Sequence, residues 1–289
     1  MYEISFAVLG GDARQEKLAK GLEKDGFLVY KFGLNRKEEN LNSLKEVLEK
    51  SKFILLPMPI SKNNKDLYAP FSEKSISLKY FIKNKNLFFN KFIFMPGINQ
   101  KENEFLKNIK DESNYIFKYC TEDFLIKNAD LTSKATINII KDKLGKDLKD
   151  LKILICGFGR LGKSLANKLK NDRNNITISA RKDKDFEDIK KLGIKSIHTK
   201  DIPNTTGYNL IINTIPALIF DETALNNTVK DAFLIDLASN PGGIDKKAAE
   251  KLKIKYIHAL GLPGKYYPEE SSELIKDSVI KIIKDEKLF

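Results

Sequence analysis

Leu151-Lys-Ile-Leu-Ile-Cys156-Gly157-Phe158-Gly159-Arg160-Leu161-Gly162-Lys-Ser-Leu-Ala166 carries an apolar strand through Gly-x-Gly-x-x-Gly into a helix-forming segment. In such a turn Gly157 supplies the tight bend, Gly159 lets backbone approach a pyrophosphate, and Gly162 lets the helix pack close on the strand. The helix start at Arg160 and Leu161 offers unpaired N–H donors and a positive dipole end to the phosphates. A second strand follows about 20 residues on, the spacing of a dinucleotide-binding βαβ unit.

The end of that second strand reads Ile178-Ser179-Ala180-Arg181-Lys182. A site for NAD would place an acid there for the ribose hydroxyls, and a carboxylate would repel a 2′-phosphate. A serine hydroxyl with the cations of Arg181 and Lys182 would hold one, arginine through its bidentate fork, so NADP is the expected cofactor.

Outward from this unit, short apolar runs alternate with charged segments of helical periodicity, which predicts an α/β protein of two Rossmann-like, doubly wound parallel-sheet domains with a cleft between them. Strands are expected at Ile4 to Leu9, Phe27 to Phe32, Phe53 to Pro57, Phe92 to Met95 and Tyr115 to Cys120 in the first. In the second they are expected at Lys152 to Cys156, Ile176 to Ser179, Ser196 to His198, Leu210 to Asn213, Phe233 to Asp236 and Lys255 to Ala259. The expected division is residues 1–127, a connecting helix over 128–145 stopped by Gly145, the nucleotide domain over 146–270, and a last helix over 271–289 packing back on the first domain.

Three strand ends in the second half carry chemistry. Asn213 and Thr214 suit the nicotinamide ribose with Ile215 packed on the ring; a polar strand end before the Pro216 turn fits those residues equally. Asp236-Leu-Ala-Ser239-Asn-Pro-Gly242-Gly243 reads as a flexible loop, and Gly261-Leu-Pro-Gly264-Lys265 puts a cation where a substrate carboxylate would lie. In the first half, Leu9-Gly10-Gly11-Asp12-Ala-Arg14-Gln15 also joins a strand to a helix, without a third glycine. Either its N–H groups and Arg14 face an acidic substrate, or Asp12 merely caps the helix with Arg14 and Gln15 exposed. Of the two histidines, His198 reads as structural, and His258 is a candidate general acid or base.

Of the 289 residues, 51 are Lys or Arg and 39 Asp or Glu, a formal net charge of +12 that raises nucleic acid, membranes or small anions as partners. The lysines are scattered over helix faces such as Lys45 to Lys52 and Lys101 to Lys110, with no helix-turn-helix, zinc finger or aromatic-basic strand, so nucleic acid is not expected. No apolar run approaches the roughly 20 residues of a spanning helix. The start of the chain lacks signal-peptide character, and Cys120 and Cys156 form no disulfide framework, so a cytoplasmic protein without metal is expected.

Together, Gly10-Gly-Asp-Ala-Arg-Gln15, the Gly157 to Gly162 turn with its Ser-Ala-Arg strand end, Asp236-Leu-Ala-Ser-Asn-Pro-Gly-Gly243 and Gly261-Leu-Pro-Gly-Lys265 resemble the family of the dipicolinate synthase A subunit, along nearly the whole chain. That resemblance implies oxidation of dihydrodipicolinate to dipicolinate with NADP in sporulating bacteria, beside a small flavoprotein-like B subunit. On it, Asp12, His258 and Lys265 are the candidate catalytic residues, and Gly11, Arg14, Ser239 and Lys265 the candidate ligands of the small dicarboxylate. The B subunit is the expected protein partner, with a second copy of the chain left open. Two stretches depart from the family pattern: Thr132-Ser133-Lys134-Ala135, which has a base in place of an acid, and Tyr266-Tyr267-Pro268. Shikimate and alanine dehydrogenases are more distant resemblances, and a non-catalytic NADP-sensing module is the alternative outside enzymology.

Overall fold

The computed structural model describes residues 4–34, 41–97, 100–145, 148–169 and 175–288. The chain forms two compact units, Met1–Asn128 with Gly264–Phe289, and Ala129–Pro263.

In the first unit β1 (Ser5–Leu9), α1 (Ala13–Lys24), β2 (Leu28–Phe32), α2 (Leu41–Lys50), β3 (Phe53–Leu55), α3 (Leu78–Lys83), β4 (Phe92–Met95), α4 (Gln100–Ile109) and β5 (Tyr115–Lys118) follow in order. The strands are all parallel in the order β2-β1-β3-β4-β5. Alternate residues of the buried strands serve two cores, as a period of two requires. Phe6, Val8, Phe53, Leu55 and Phe94 face one core, and Ala7, Leu9, Ile54, Ile93 and Met95 the other. Phe53 sits 5.2 Å from both Phe6 and Phe92, a row of rings across three strands.

α5 (Glu122–Leu144) begins six residues before the expected Asn128, because Thr121 caps it: Phe124 N–H donates to Thr121 Oγ1 at 3.3 Å. Gly145 ends it at φ +56. The expected domain boundary at 146 lies outside the described residues. α11 (Pro268–Asp285) starts three residues earlier than expected, with proline in its first turn. Its Ile275, Val279 and Ile283, four residues apart, are buried in the core that α1 supplies with Leu18, Ala19 and Leu22.

The second unit contains β6 (Ile153–Cys156), α6 (Arg160–Leu169), β7 (Ile176–Ala180), α7 (Asp183–Lys191), β8 (Lys195–His198), β9 (Leu210–Asn213), α8 (Glu222–Asn226), β10 (Phe233–Asp236), α9 (Lys246–Lys251) and β11 (Lys255–His258). α10 (Leu262–Tyr266) follows. Its sheet is parallel in the order β11-β10-β9-β6-β7-β8. Renumbered from its own first strand this is 3-2-1-4-5-6, the order of dinucleotide-binding folds, whereas the first unit has the flavodoxin-like 2-1-3-4-5. Ligands of such sheets bind beyond the carboxyl ends of the strands where the order reverses. That point lies between β6 and β9 in the second unit and between β1 and β3 in the first. Among the described residues no helix is long and apolar enough to cross a membrane.

Candidate functional site

The β6 to α6 turn has the shape its glycines promise. Gly157 adopts φ +96, and a side chain there would come within 2.7 Å of Thr214 Oγ1. A Cβ on Gly162 would collide with the Gly157 carbonyl, whereas one on Gly159 meets nothing within 4 Å. The first and third glycines are therefore fixed by protein packing, and the second borders open space at the start of α6. This is the cradle a pyrophosphate needs, so the residues present fit a dinucleotide.

Ser179 is not at the strand-end surface. It is fully buried, and its hydroxyl accepts from Gly157 N–H at 3.1 Å and from Thr199 Oγ1 at 3.4 Å. It supports the glycine turn from behind, which corrects its reading as a phosphate ligand. Arg181 and Lys182, one and two residues past β7, are exposed and make no ion pair among the described residues. Arg160 and Leu161 open α6.

Asn213 and Asp236 sit at the ends of adjacent strands, and both are buried. Asn213 Nδ2 donates to Asp236 Oδ1 at 2.9 Å and to the Ile215 carbonyl at 3.0 Å, while its Oδ1 accepts from Ile215 N–H at 3.1 Å. With both ends of its amide engaged, Asn213 shapes the turn that presents Thr214 and Ile215, and does not reach out to a ribose. Thr214 Oγ1 donates to the Cys156 carbonyl at 2.8 Å and keeps acceptor capacity; Ile215 is half-buried.

Asp236 Oδ1 also accepts from Ala238 N–H at 3.1 Å, and its Oδ2 from Gly243 N–H at 2.7 Å. The Gly243 carbonyl in turn accepts from Ile219 and Phe220 N–H. The 236–243 loop is thus clamped at both ends, which corrects its expected flexibility; Ser239 is exposed on it. His258, at the end of β11, donates from Nε2 to the Ala238 carbonyl at 2.8 Å, so in the neutral ring Nδ1 is the acceptor. Burial, with the nearby Asp236 carboxylate adding to it, pushes the Cys156 thiol up and keeps it protonated. His198 stands with its ring 4.5 Å from that of Phe186.

In the first unit the Gly10–Gly11 turn is stitched in place by Gly10 N–H to the Phe32 carbonyl at 2.7 Å and Gly11 N–H to the Tyr68 carbonyl at 2.6 Å. The Gly11 N–H is therefore spent on protein, a correction to its expected role as a substrate donor. Asp12 caps α1 and forms a capping box with Gln15. Arg14 and Gln15, exposed in the helix-cap reading, are instead 6% and 1% exposed. Arg14 Nε and Nη2 fork onto the two Asp12 oxygens at 2.8 Å each, and Nη2 also reaches the Met58 carbonyl at 2.6 Å. Burial works to raise the Asp12 carboxyl, but the Arg14 fork outweighs it and holds Asp12 below the usual carboxylate range. Asp12 is an ionised partner of Arg14 rather than a proton acceptor. Gly264 lies against this pair, since a Cβ there would be 2.7 Å from Arg14 Nε, and the exposed Lys265 follows it. Lys134 is exposed on α5, and Ser133 is buried with its hydroxyl donating to the Ala129 carbonyl.

Two contributors are not evident from the sequence reading. Asp236 enters it only as the start of a loop, although a buried acid at a strand end followed by Ala-Ser-Asn-Pro-Gly-Gly is the available signal. Residues 56–77, between β3 and α3, bring Tyr68 onto Gly11 and Lys62 over the Tyr68 ring, 4.0 Å from its centroid; the strand end at Pro57 before the polar run Ser61-Lys-Asn-Asn-Lys65 is their signal. Among the described residues no group of three or more His, Cys, Asp or Glu side chains could hold a metal.

Residues 5–113 match the N-terminal domain of the dipicolinate synthase A subunit, and residues 153–206 match the TrkA-N domain. The A subunit of dipicolinate synthase in Bacillus subtilis (strain 168) is 25% identical, over 97% of this chain and 96% of its own length. The crystal structure of the corresponding A subunit from Bacillus halodurans superposes with a TM-score of 0.84 at 25% identity, covering 97% of this chain and 98% of that one. The crystal structure of the Bacillus subtilis protein gives 0.84 at 23% identity, covering 100% and 98%. At the level of fold alone, L-alanine dehydrogenase is similar at a TM-score of 0.61 and 10% identity, covering 97% of this chain and 89% of that one. The likeness to the A subunits of dipicolinate synthase runs the length of both chains, through an N-terminal unit and a nucleotide-type second unit alike.

Proposed function

We propose that this chain oxidises dihydrodipicolinate to dipicolinate with NADP, working with the B subunit of dipicolinate synthase in the cytoplasm of a sporulating bacterium. The observation that carries the cofactor is the second unit's turn. Gly157 and Gly162 are locked by packing and Gly159 is open, while Arg181 and Lys182, without an ion pair among the described residues, stand where an NAD site would have an acid. The likeness to the A subunits carries the substrate.

When bound, NADP would supply the hydride acceptor for oxidation of the substrate ring. The protein's part is to hold a dianion in line and to receive one ring proton, which is positioning and electrostatics rather than covalent catalysis. Thr214 and Ile215 frame the nicotinamide end, on a turn that Asn213 and Asp236 fix. Arg181 and Lys182 take the 2′-phosphate. The proton goes to His258 Nδ1, the acceptor nitrogen left by the Nε2 bond to Ala238. Lys265, exposed and next in sequence to the Gly264 that lies against Arg14, takes one substrate carboxylate.

The test is an absorbance assay that supplies the product of the dihydrodipicolinate-forming aldolase and NADP, with the B subunit present or omitted. NADPH and the dipicolinate chromophore should rise together. Absence of both signals under both conditions would overturn the proposal.

A further inference from the structure

A dicarboxylate requires two cationic contacts, and Arg14 does not supply a free one. Its charge is balanced by Asp12 through two 2.8 Å bonds, and its Nη2 is further engaged by the Met58 carbonyl. The first unit's sheet has its reversal point between β1 and β3, so a ligand there is flanked by the loops after these two strands. The β1 loop contributes Gly10 to Asp12. The β3 loop, residues 56–77, folds against it through the Gly11 N–H bond to the Tyr68 carbonyl.

Lys62 lies on this second loop, exposed, with Nζ 4.0 Å over the Tyr68 ring and no ion pair among the described residues. Tyr68 props the side chain on an aromatic face without neutralising it. The ammonium is close enough to act on Asp12 electrostatically. Beside it lies a concavity of about 310 Å³ whose wall includes Lys62, Tyr68, Lys74 and Ser75, cations and hydroxyls suited to a carboxylate. Asp66, the acid in that wall, accepts from Asn63 Nδ2 at 2.8 Å. Building on the proposed function, we infer that Lys62 is a substrate-binding residue, taking the carboxylate of the ring dicarboxylate that Lys265 does not hold. Arg14 and Asp12, already paired with each other, add no free charge to this binding.

The test compares wild type, Lys62→Ala and Lys62→Arg for binding of pyridine-2,6-dicarboxylate and of pyridine-2-carboxylate by calorimetry, and for turnover with dihydrodipicolinate. Lys62→Ala should weaken the dicarboxylate by about 10- to 100-fold, the worth of a hydrogen bond to a charged group, and close the gap between the two ligands. Its KM for dihydrodipicolinate should rise by a similar factor with the affinity for NADPH unchanged, and Lys62→Arg should restore most of both. An undiminished gap in Lys62→Ala, in protein that turns over, overturns the role of Lys62 and leaves the activity standing. If wild type shows no turnover either with or without the B subunit, the proposed function falls. Dicarboxylate binding then decides Lys62 alone: lost with Lys62→Ala it upholds the site, and absent or unchanged it overturns it.

Discussion

The Arg14 guanidinium grips the Asp12 carboxylate by two bonds of 2.8 Å, Nε to Oδ1 and Nη2 to Oδ2, at the start of α1. Asp12 thus caps a helix, with Arg14 N–H donating to its Oδ1 at 3.2 Å, and at the same time anchors a buried cation.

Removing the cation leaves a largely buried carboxylate unpaired. Arg14→Ala should lose about 2 kcal/mol in urea denaturation at neutral pH, below the usual cost of breaking a buried pair because the Asp12 side chain is 23% exposed. The Asp12 carboxyl is held below its ordinary 3.8, so its contribution is present above that pH and fades as pH falls through the folded-state value. The stability gap between wild type and Asp12→Asn should therefore be widest at neutral pH and shrink below about pH 4. A gap that widened on acidification would contradict the assignment.

Gly159 and Gly162 separate ligand approach from folding. Gly162→Ala forces a Cβ into the Gly157 carbonyl and should cost about 3 kcal/mol of stability. Gly159→Ala meets open space, so its melting should barely change, by less than about 0.5 kcal/mol. Its NADPH affinity should nonetheless fall about 10- to 100-fold, because the methyl occupies the path of the phosphates. Thermal melting with a fluorescence titration reads both.

Arg181→Ala should weaken NADPH by about 10- to 100-fold while leaving NADH within a factor of about two, since only the former offers the 2′-phosphate. Fluorescence titration of both nucleotides checks this, and equal losses for the two would place Arg181 elsewhere.

Asp236 accepts from Asn213 Nδ2, Ala238 N–H and Gly243 N–H while 2% exposed. In Asp236→Asn an amide donor faces at least one of these donors, a buried mismatch worth about 3 kcal/mol. Urea denaturation should show that loss.

His258→Asn should lower kcat by about 100-fold with the KM for NADP little changed, the pattern of a lost proton acceptor. A variant with normal kcat would leave His258 as the tie between β11 and the Ala238 carbonyl.

The strands, the two-sheet α/β architecture and the glycine turn were legible because burial on both faces leaves unbroken apolar runs such as Ile153 to Cys156 and Phe6 to Leu9. Gly-x-Gly-x-x-Gly is likewise a local demand: each glycine answers to contacts a few residues away or to a neighbouring strand end. Helix starts shifted by three to six residues because caps such as Thr121 and the first-turn Pro268 outweigh apolar periodicity at a terminus.

Which polar side chains are free for ligands was not written locally. Ser179, Asn213 and Arg14 read alike as strand-end ligands, yet each is consumed by a partner 2 to 23 residues away: Arg14 by Asp12, Ser179 by Gly157, Asn213 by Asp236. Lys62 read as one lysine among many, and became distinctive only when the sheet order set the β1 and β3 loops side by side. Sequence by itself determined the backbone elements and the glycine cradle, since sterics and apolar burial act along short stretches. Tertiary structure alone decided which charges are neutralised and which stay available, because a buried hydrogen bond or ion pair depends on what the fold brings within about 3 Å.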